Sequence, residues 1–343
     1  MISYYSIIVP TFNRSDEISE LLHSFETLEF DRNKFELIIV DDGSTDNTEE
    51  IVKNFSAGND INIKYINQNN KGPGAARNAG MENAKGDFFI FIDSDCTVAE
   101  NWLQEIDKGI TKLSADAYGG PDSCKKSFPP LLKAINYSMT SFITTGGIRG
   151  HKKKKLGKFY PRSFNMGLTR ELYEKIGGFG SLRHGQDMEY SNRIIRNGAK
   201  IAQIQSAIVF HKRRTSIYKF FKQVFNWGVA RINLFKIDKS MLEPVHTLPA
   251  FALCFGIILV IVALFFPPVR TVFKYLLYLF LTMLLLSAIH AYFIYKNLKT
   301  ALLILVIIPV QIAGYGMGFS YAVIKRLLLG HGEFTGYSKQ YYK

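Results

Sequence analysis

Short apolar runs alternate with stretches of helical spacing over the first hundred residues of the chain. Ser6 to Pro10 is apolar and strand-like. Asp16 to Leu28 places its apolar residues at helical intervals behind Ser15, a side chain suited to an N-cap. Glu36 to Val40 reads as a second strand, Asp46 to Phe55 as a second helix, and the alternating Ile61 to Ile66 as a third strand. Gly72-Pro73-Gly74 breaks the chain before a helix over Ala75 to Ala84, and Phe88 to Ile92 is a fourth strand. Strand and helix in regular succession predict an α/β fold with a parallel, doubly wound sheet. Ligands of such sheets gather beyond the carboxyl ends of the strands. Thr11 to Arg14, Asp41-Asp42 and Asp93 to Asp95 all fall there.

The regular alternation stops after residue 115. Residues 159–176 suggest a strand and a helix, Gly177-Gly178-Phe179 a turn, and Gln186 to Asn197 a helix closed by Gly198. Ile204 to Phe210 predicts one more strand. Residues 216–237 interleave aromatics with Lys219, Lys222, Arg231 and Lys236. This pattern fits an amphipathic helix lying on a membrane surface, or equally one packed on the preceding domain. Residues 247–269, 275–295 and 300–324 then carry no Asp, Glu, Lys or Arg. A bilayer core takes about 20 apolar residues per helix, so up to three spans are expected. The chain opens directly on a strand pattern, and no signal peptide is expected.

Charge extends this picture. The 343 residues carry a formal charge of +13, and Glu333 is the only acidic residue after position 246. Basic residues concentrate at Lys152 to Lys155, at Lys212 to Arg214 and around the apolar runs, which suits an anionic cytoplasmic leaflet. No nucleic-acid-binding motif accompanies the charge, so nucleic acid is not an expected partner. Cys96, Cys124 and Cys254 show no metal-type spacing and imply a reducing compartment without a disulfide framework.

The chemistry concentrates at the strand ends. The run Phe89 to Asp95 is an apolar strand entering two carboxylates spaced i, i+2, which can bring a divalent cation to a pyrophosphate. Asp41-Asp42 can accept hydrogen bonds from a base or ribose, while Ser44 or Asp46 caps the next helix. The turn Gly72 to Gly74 leads into a helix whose positive end, with Arg77, suits a pyrophosphate. It is neither a Walker loop nor a dinucleotide fingerprint. Asp187 and Glu189 open a helix on different faces, so one can meet the ligand while the other pairs with Arg193. The helix N-terminus favours negative charge at Asp187, and an ionised Asp is a competent base for a hydroxyl. His211 follows a strand and is either a structural residue or a further metal ligand.

Together these segments resemble the family 2 glycosyltransferases of GT-A fold. The likeness rests on Val9 to Arg14, Val40 to Ser44, Gly74 to Gly80, Asp93 to Asp95, Gly177 to Phe179 and Gln186 to Glu189, and covers roughly residues 3–235. The C-terminal runs look like those of membrane-bound members that build exopolysaccharide or other surface glycans. Asn136 to Arg149 is loosely similar to the succinoglycan-type subgroup. The resemblance implies inverting transfer from a nucleotide-diphosphate sugar. Pro10, Thr11 and Phe12 would line the base pocket, with Asp42 on the base. Arg14, Gly74, Arg77 and Asp93 would complete the donor site, and Asp95 would hold Mn2+ or Mg2+, with His211 the candidate further ligand read from its own position. Asp187 would be the catalytic base, supported by Gln186 and Glu189. Two departures stand out. Gln186 replaces the usual Glu before the base. The Gln-x-x-Arg-Trp motif of processive synthases is absent, since Gln223 is followed by Val224 to Trp227. One sugar per binding event is therefore expected.

The expected organisation is a catalytic domain over 1–215, an interfacial helix and linker over 216–243, transmembrane helices over 244–327 and a basic tail over 328–343. The resemblance implies a multi-pass plasma-membrane protein with its catalytic domain in the cytoplasm and a lipid-linked or other membrane glycan as acceptor. Two other readings stay open. A polyprenyl-phosphate sugar synthase would use an acceptor already ionised. A non-catalytic scaffold would bind nucleotide sugar without turnover.

Overall fold

The computed structural model describes residues 2–141, 144, 159–212 and 215–333. Gly146-Gly147, the Lys152 to Lys155 run, Arg213, Arg214 and the tail from 334 lie outside the described residues. The chain divides into two compact units. Their described parts are 2–123 with 159–212, and 124–141 and 144 with 215–333.

The first unit is built on a seven-stranded sheet. Its strands are Tyr5–Thr11 (β1), Phe35–Asp41 (β2), Ile63–Asn67 (β3), Phe88–Phe91 (β4), Ala117–Gly119 (β6), Met166–Thr169 (β8) and Ile201–Gln203 (β9), ordered β3-β2-β1-β4-β8-β6-β9. The first four are mutually parallel where they pair. β8 runs antiparallel to both β4 and β6, so the sheet is mixed beyond the parallel half. Helices Ser15–Glu26 (α1), Thr48–Ala57 (α2) and Pro73–Glu82 (α3) connect the parallel strands. Trp102–Leu113 (α4), Arg170–Ile176 (α6) and Gln186–Arg196 (α7) follow in this unit.

The central strands are apolar without interruption because both sheet faces are covered. Ile7, Val9, Leu37 and Ile39 pack against Leu21, Phe25, Trp102 and Ile106 on one face. Ile8, Ile38 and Val40 pack with Ala76, Met81, Tyr190 and Ile194 on the other. The period-2 alternation within each strand thus feeds two cores. Gly80 allows α3 to approach closely, since a Cβ there would overlap Ile8.

Two local expectations are corrected. Arg14, not Ser15, occupies the N-cap of α1. The Ser15 backbone instead donates to Asp46 Oδ2 at 3.0 Å, a contact between two loops that local preference cannot anticipate. The helix from Gln186 is closed as expected, with Gly198 at φ +72 just past the Asn197 cap. The strand expected over Ile204 to Phe210 is confined to its end. β9 ends at Gln203 beside β6, and the chain turns at Gln205 and Ser206 before Val209–His211 (β10). β10 sits between Cys96–Val98 (β5) and Asp122–Ser123 (β7) in a separate three-stranded sheet. The two polar residues inside the run mark the turn.

The second unit is helical. Pro130–Thr140 (α5) and Ile217–Ile237 (α8) join Leu248–Phe265 (α9), Pro267–Tyr295 (α10) and Leu298–Ala322 (α11). Three helical segments among the described residues are long and apolar enough to cross a membrane, namely Leu248–Phe265, Pro267–Tyr295 and Leu298–Leu328. Pro267 starts α10 directly after α9. Arg270 reaches back to the Ala263 and Leu264 carbonyls, which have no partner inside their own helix end. α8 packs along α11 through backbone contact. A Cβ on Gly228 would overlap the Tyr315 carbonyl, and one on Gly318 the Phe225 carbonyl. The tight side of α8 is therefore committed to an apolar helix. Tyr218 stays exposed with the Lys222 ammonium 4.4 Å above its ring.

Candidate active site

The ends of β1 and β2 are laced together before they offer anything to a ligand. The Thr11 carbonyl accepts from the Asp42 amide at 2.9 Å. Asn13 adopts φ +48. Its amide donates to Ser44 Oγ, and its side-chain oxygen accepts from the Thr45 amide, each at 2.8 Å. Pro10 and Thr11 are buried, and Phe12 is half-buried beside them. Asp42 is fully buried, and its carboxylate accepts from Gln68 Nε2 (2.6 Å), the Lys71 amide (2.9 Å) and the Gly72 amide (2.7 Å). This acid therefore grips the glycine turn, with Gly72 held at φ +92 as the N-cap of α3.

α3 then draws three other motifs together. A Cβ on Gly74 would lie 2.6 Å from Gln186 Nε2, so this glycine admits the start of α7. Arg77 is buried, binds Asp93 Oδ1 at 2.5 Å and stacks 5.4 Å above the Phe179 ring. Asn78 accepts from the Phe179 amide (2.7 Å) and donates to its carbonyl (3.0 Å), clamping the Gly177-Gly178-Phe179 turn. Glu189 holds Arg193 in a two-point pair at 2.6 and 3.0 Å, and Arg193 donates to the Ile176 and Gly178 carbonyls. The expected Glu189 partner is thus in place, and the pair braces the same turn.

Asp95 faces a different set. Its Oδ2 accepts from Arg14 at 2.8 Å, and its Oδ1 lies 3.2 Å from His211 Nε2. Burial alone lowers the Arg14 pKa, but Asp95, Glu17 and Asp93 outweigh it and hold the guanidinium above its ordinary value. His211 Nδ1 lies 3.7 Å from Asp122 Oδ2. A carboxylate oxygen and an imidazole nitrogen converging from separate segments fit a divalent cation. The cysteines show no metal-type spacing along the chain, yet Cys96 Sγ joins these donors. Asp95, Cys96 and His211 each offer one atom, all within 4.8 Å of one another.

Asp187 stands in the first turn of α7. Its Oδ2 pairs with Arg162 Nη1 at 3.2 Å, and its Oδ1 accepts from the Met188 amide at 2.9 Å. Asn165 anchors the Arg162 segment. Its amide donates to the Arg162 carbonyl, and its fully buried side chain donates to the Pro121 and Ala207 carbonyls and accepts from Trp102 and Tyr118. One route of direct contact therefore joins a metal-type donor to Asp187. It runs from His211 past Asp122, Pro121 and Asn165 to Arg162. Separately, Asp93 holds Arg77 on α3, and α3 meets Gln186, the residue before Asp187.

Arg162, Asn165, Asp122 and Cys96 were not among the sequence-predicted site residues. Asp122 and Arg162 lie where the strand-helix alternation has lapsed, so no local pattern marks them. The Cys96 signal was available only as its adjacency to Asp95.

The model of glycosyl transferase family 2 matches residues 6–177. The chain belongs to this family. It is a glycosyltransferase, and the GT-A fold follows. It is 26% identical over 246 residues to the glycosyltransferase AglE of Haloferax volcanii, covering 71% of this chain and 78% of AglE. It is 26% identical over 240 residues to the dolichyl N-acetyl-α-D-glucosaminyl phosphate 3-β-D-2,3-diacetamido-2,3-dideoxy-β-D-glucuronosyltransferase of Methanococcus voltae, covering 67% of this chain and 73% of that one. A shorter match of 142 residues at 32% identity reaches TarS of Staphylococcus aureus, covering 38% of this chain but only 25% of that protein. Among solved structures, the mannosyltransferase PcManGT of Pyrobaculum calidifontis, determined with GDP-mannose and Mn2+, superposes with a TM-score of 0.61. The identity is 17%, covering 91% of this chain and 87% of that one.

Proposed function

We propose that this glycosyltransferase moves one sugar per binding event, with inversion, from a nucleotide-diphosphate sugar to a hydroxyl of a lipid-linked glycan. The observation that carries the reading is the contact route tying Asp95 and His211 to Asp187 within one unit. A metal-type donor pair and a proton-accepting carboxylate belong to one connected framework, as single displacement requires. Pro10, Thr11 and Phe12 receive the base, while Asp42 acts on the donor by fixing the Gly72 turn. Thr11 Oγ1 and Arg77 Nε are buried with no hydrogen-bond partner among the described residues, and both belong to motifs assigned to the donor.

Asp95 and His211 would hold Mn2+ or Mg2+, which supplies positive charge to the leaving diphosphate. Arg77, steered by Asp93 and Phe179, adds a fixed guanidinium to the same task. Arg162 orients the Asp187 carboxylate. Asp187 takes the acceptor hydroxyl proton as the oxygen attacks the anomeric carbon from the face opposite the diphosphate. One displacement inverts that carbon, and no enzyme nucleophile is needed. The Methanococcus relative, whose acceptor carries a dolichyl phosphate, supports a lipid-linked sugar as acceptor.

The three apolar helices support a multi-pass membrane protein, and the proposed placement is the plasma membrane with the first unit on the cytoplasmic side. The proposed organisation is catalysis over 1–215, an interfacial helix over 216–243 and spans over 244–327. Reporter fusions after Lys296 check the topology.

The decisive experiment is Asp187→Asn, assayed with lipid-linked glycans and with a bare polyprenyl phosphate. Loss of general base action is expected to cut turnover by about 10²–10⁴-fold, with protection against heat by the nucleotide sugar unchanged. Near-wild-type turnover on the bare phosphate would overturn the hydroxyl-acceptor reading in favour of a polyprenyl-phosphate sugar synthase.

A further inference from the structure

Cys96 is an unusual neighbour for a site assigned to a hard cation. It is 1% exposed and opens β5, whose antiparallel register places it directly opposite His211 on β10. Directly opposed residues of an antiparallel pair bring their Cβ atoms to about 5 Å. Asp95 precedes Cys96 and turns its Oδ1 toward His211 at 3.2 Å. A carboxylate oxygen, a thiol sulfur and an imidazole nitrogen therefore gather within 4.8 Å. With metal–ligand bonds of about 2.0–2.3 Å, tetrahedral donors stand roughly 3.4–3.6 Å apart. Closure onto one ion needs side-chain shifts of about an ångström.

We propose that Cys96 is a third protein donor at the Asp95–His211 site, making that site a trap for thiophilic divalent ions. This rests on reading Asp95 and His211 as cation ligands. Carboxylate and imidazole alone accept Mn2+ readily, whereas a thiolate biases the set toward Zn2+ and Cd2+. On binding, the thiol proton leaves to solvent and the sulfur lone pair forms the metal bond. The thiolate thus makes Zn2+ bind more tightly than Mn2+. Asp122, 3.7 Å from the far side of His211, helps orient the imidazole as an outer carboxylate does at zinc sites.

The test uses the full-length C124S/C254S protein in detergent, in which Cys96 is the sole thiol. Cd2+ is titrated into the metal-free protein, following the ultraviolet thiolate-to-cadmium charge-transfer absorption. Mn2+ binding is followed in parallel by electron paramagnetic resonance. A saturable band at one Cd2+ per chain is expected, displaced by Zn2+. In the wild-type chain, Cys96→Ser is expected to weaken Zn2+ by on the order of a hundredfold and Mn2+ by no more than about threefold. Mn2+ binding that is lost in Asp95→Asn, with no Cd2+ band in the single-thiol protein, overturns the Cys96 assignment alone. If neither ion binds, the cation reading of Asp95 and His211 falls with it. The single-thiol titration needs no change at Cys96, so it decides the matter even if Cys96→Ser folds poorly.

Discussion

Asn165 offers the sharpest test of how the site is held. Its side chain has no solvent exposure and makes four contacts. It donates to the Ala207 carbonyl at 2.7 Å and the Pro121 carbonyl at 3.1 Å, and accepts from Trp102 Nε1 at 3.1 Å and Tyr118 OH at 3.3 Å. Trp102 and Tyr118 are themselves fully buried. Asn165→Ala strands the Trp102 and Tyr118 donors and the Ala207 carbonyl, each costing about 1–3 kcal/mol when left unpaired in the interior, while the Pro121 carbonyl keeps the Val209 amide. The Tyr118 bond is long, and a water entering the void would recover part of the loss. A destabilisation of about 3–6 kcal/mol follows, a large share of the ~5–15 kcal/mol typical of a domain. Asn165→Leu fills the volume and shuts out water, so it is expected to cost at least as much. The chain has only two tryptophans. In a Trp227→Phe background, fluorescence therefore reports Trp102 and its own unit during guanidinium unfolding at 25 °C. A loss below about 1 kcal/mol in both variants would refute the claim that this hydrogen-bonded hub supports the Pro121, Arg162 and Ala207 segments.

Arg162→Gln removes the 3.2 Å partner of Asp187. It is expected to lower kcat by on the order of 10–100-fold through misplacement of the base, while donor KM stays near wild type. Equal effects on kcat and KM would assign Arg162 to donor binding instead. Gly318→Ala forces a Cβ into the Phe225 carbonyl, with no flexible side chain to yield. The helical unit should lose about 1–3 kcal/mol, read as a lower Tm in detergent, and an unchanged Tm would refute the close α8–α11 packing. Partial burial raises the Asp46 carboxyl, but hydrogen bonds from Thr48 and Ser15 outweigh it and hold its pKa below the ordinary carboxylate value. A depressed folded pKa means stability present above the unfolded pKa and lost as pH falls through the folded one. Wild-type Tm should therefore drop more steeply than that of Asp46→Asn below about pH 4. Parallel slopes would exclude the contribution.

Local pattern carried much of this molecule into view. The four parallel strands, their connecting helices and the long apolar helices are legible because strand and helix impose short periods on apolar residues. The acids at the strand ends, Arg77 and Asp187 are legible because a turn or helix start is where a site can form. Partnership is different in kind. Asp42 holds the Gly72 turn, Gly74 admits Gln186, and the strand at Val209 joins the small sheet with β5 and β7 instead of the main one. Each outcome depends on which distant segment packs alongside.

The sequence by itself therefore determined the family and the GT-A frame and supplied the groups proposed as reactive, since these reside in residue type and local periodicity. Tertiary structure alone decided that Cys96 faces His211, that Arg162 answers Asp187 and that Asn165 joins three loops. The physical reason is that register and loop contact are set by long-range packing. A segment's own pattern of apolar and polar residues says which face is buried, never against whom.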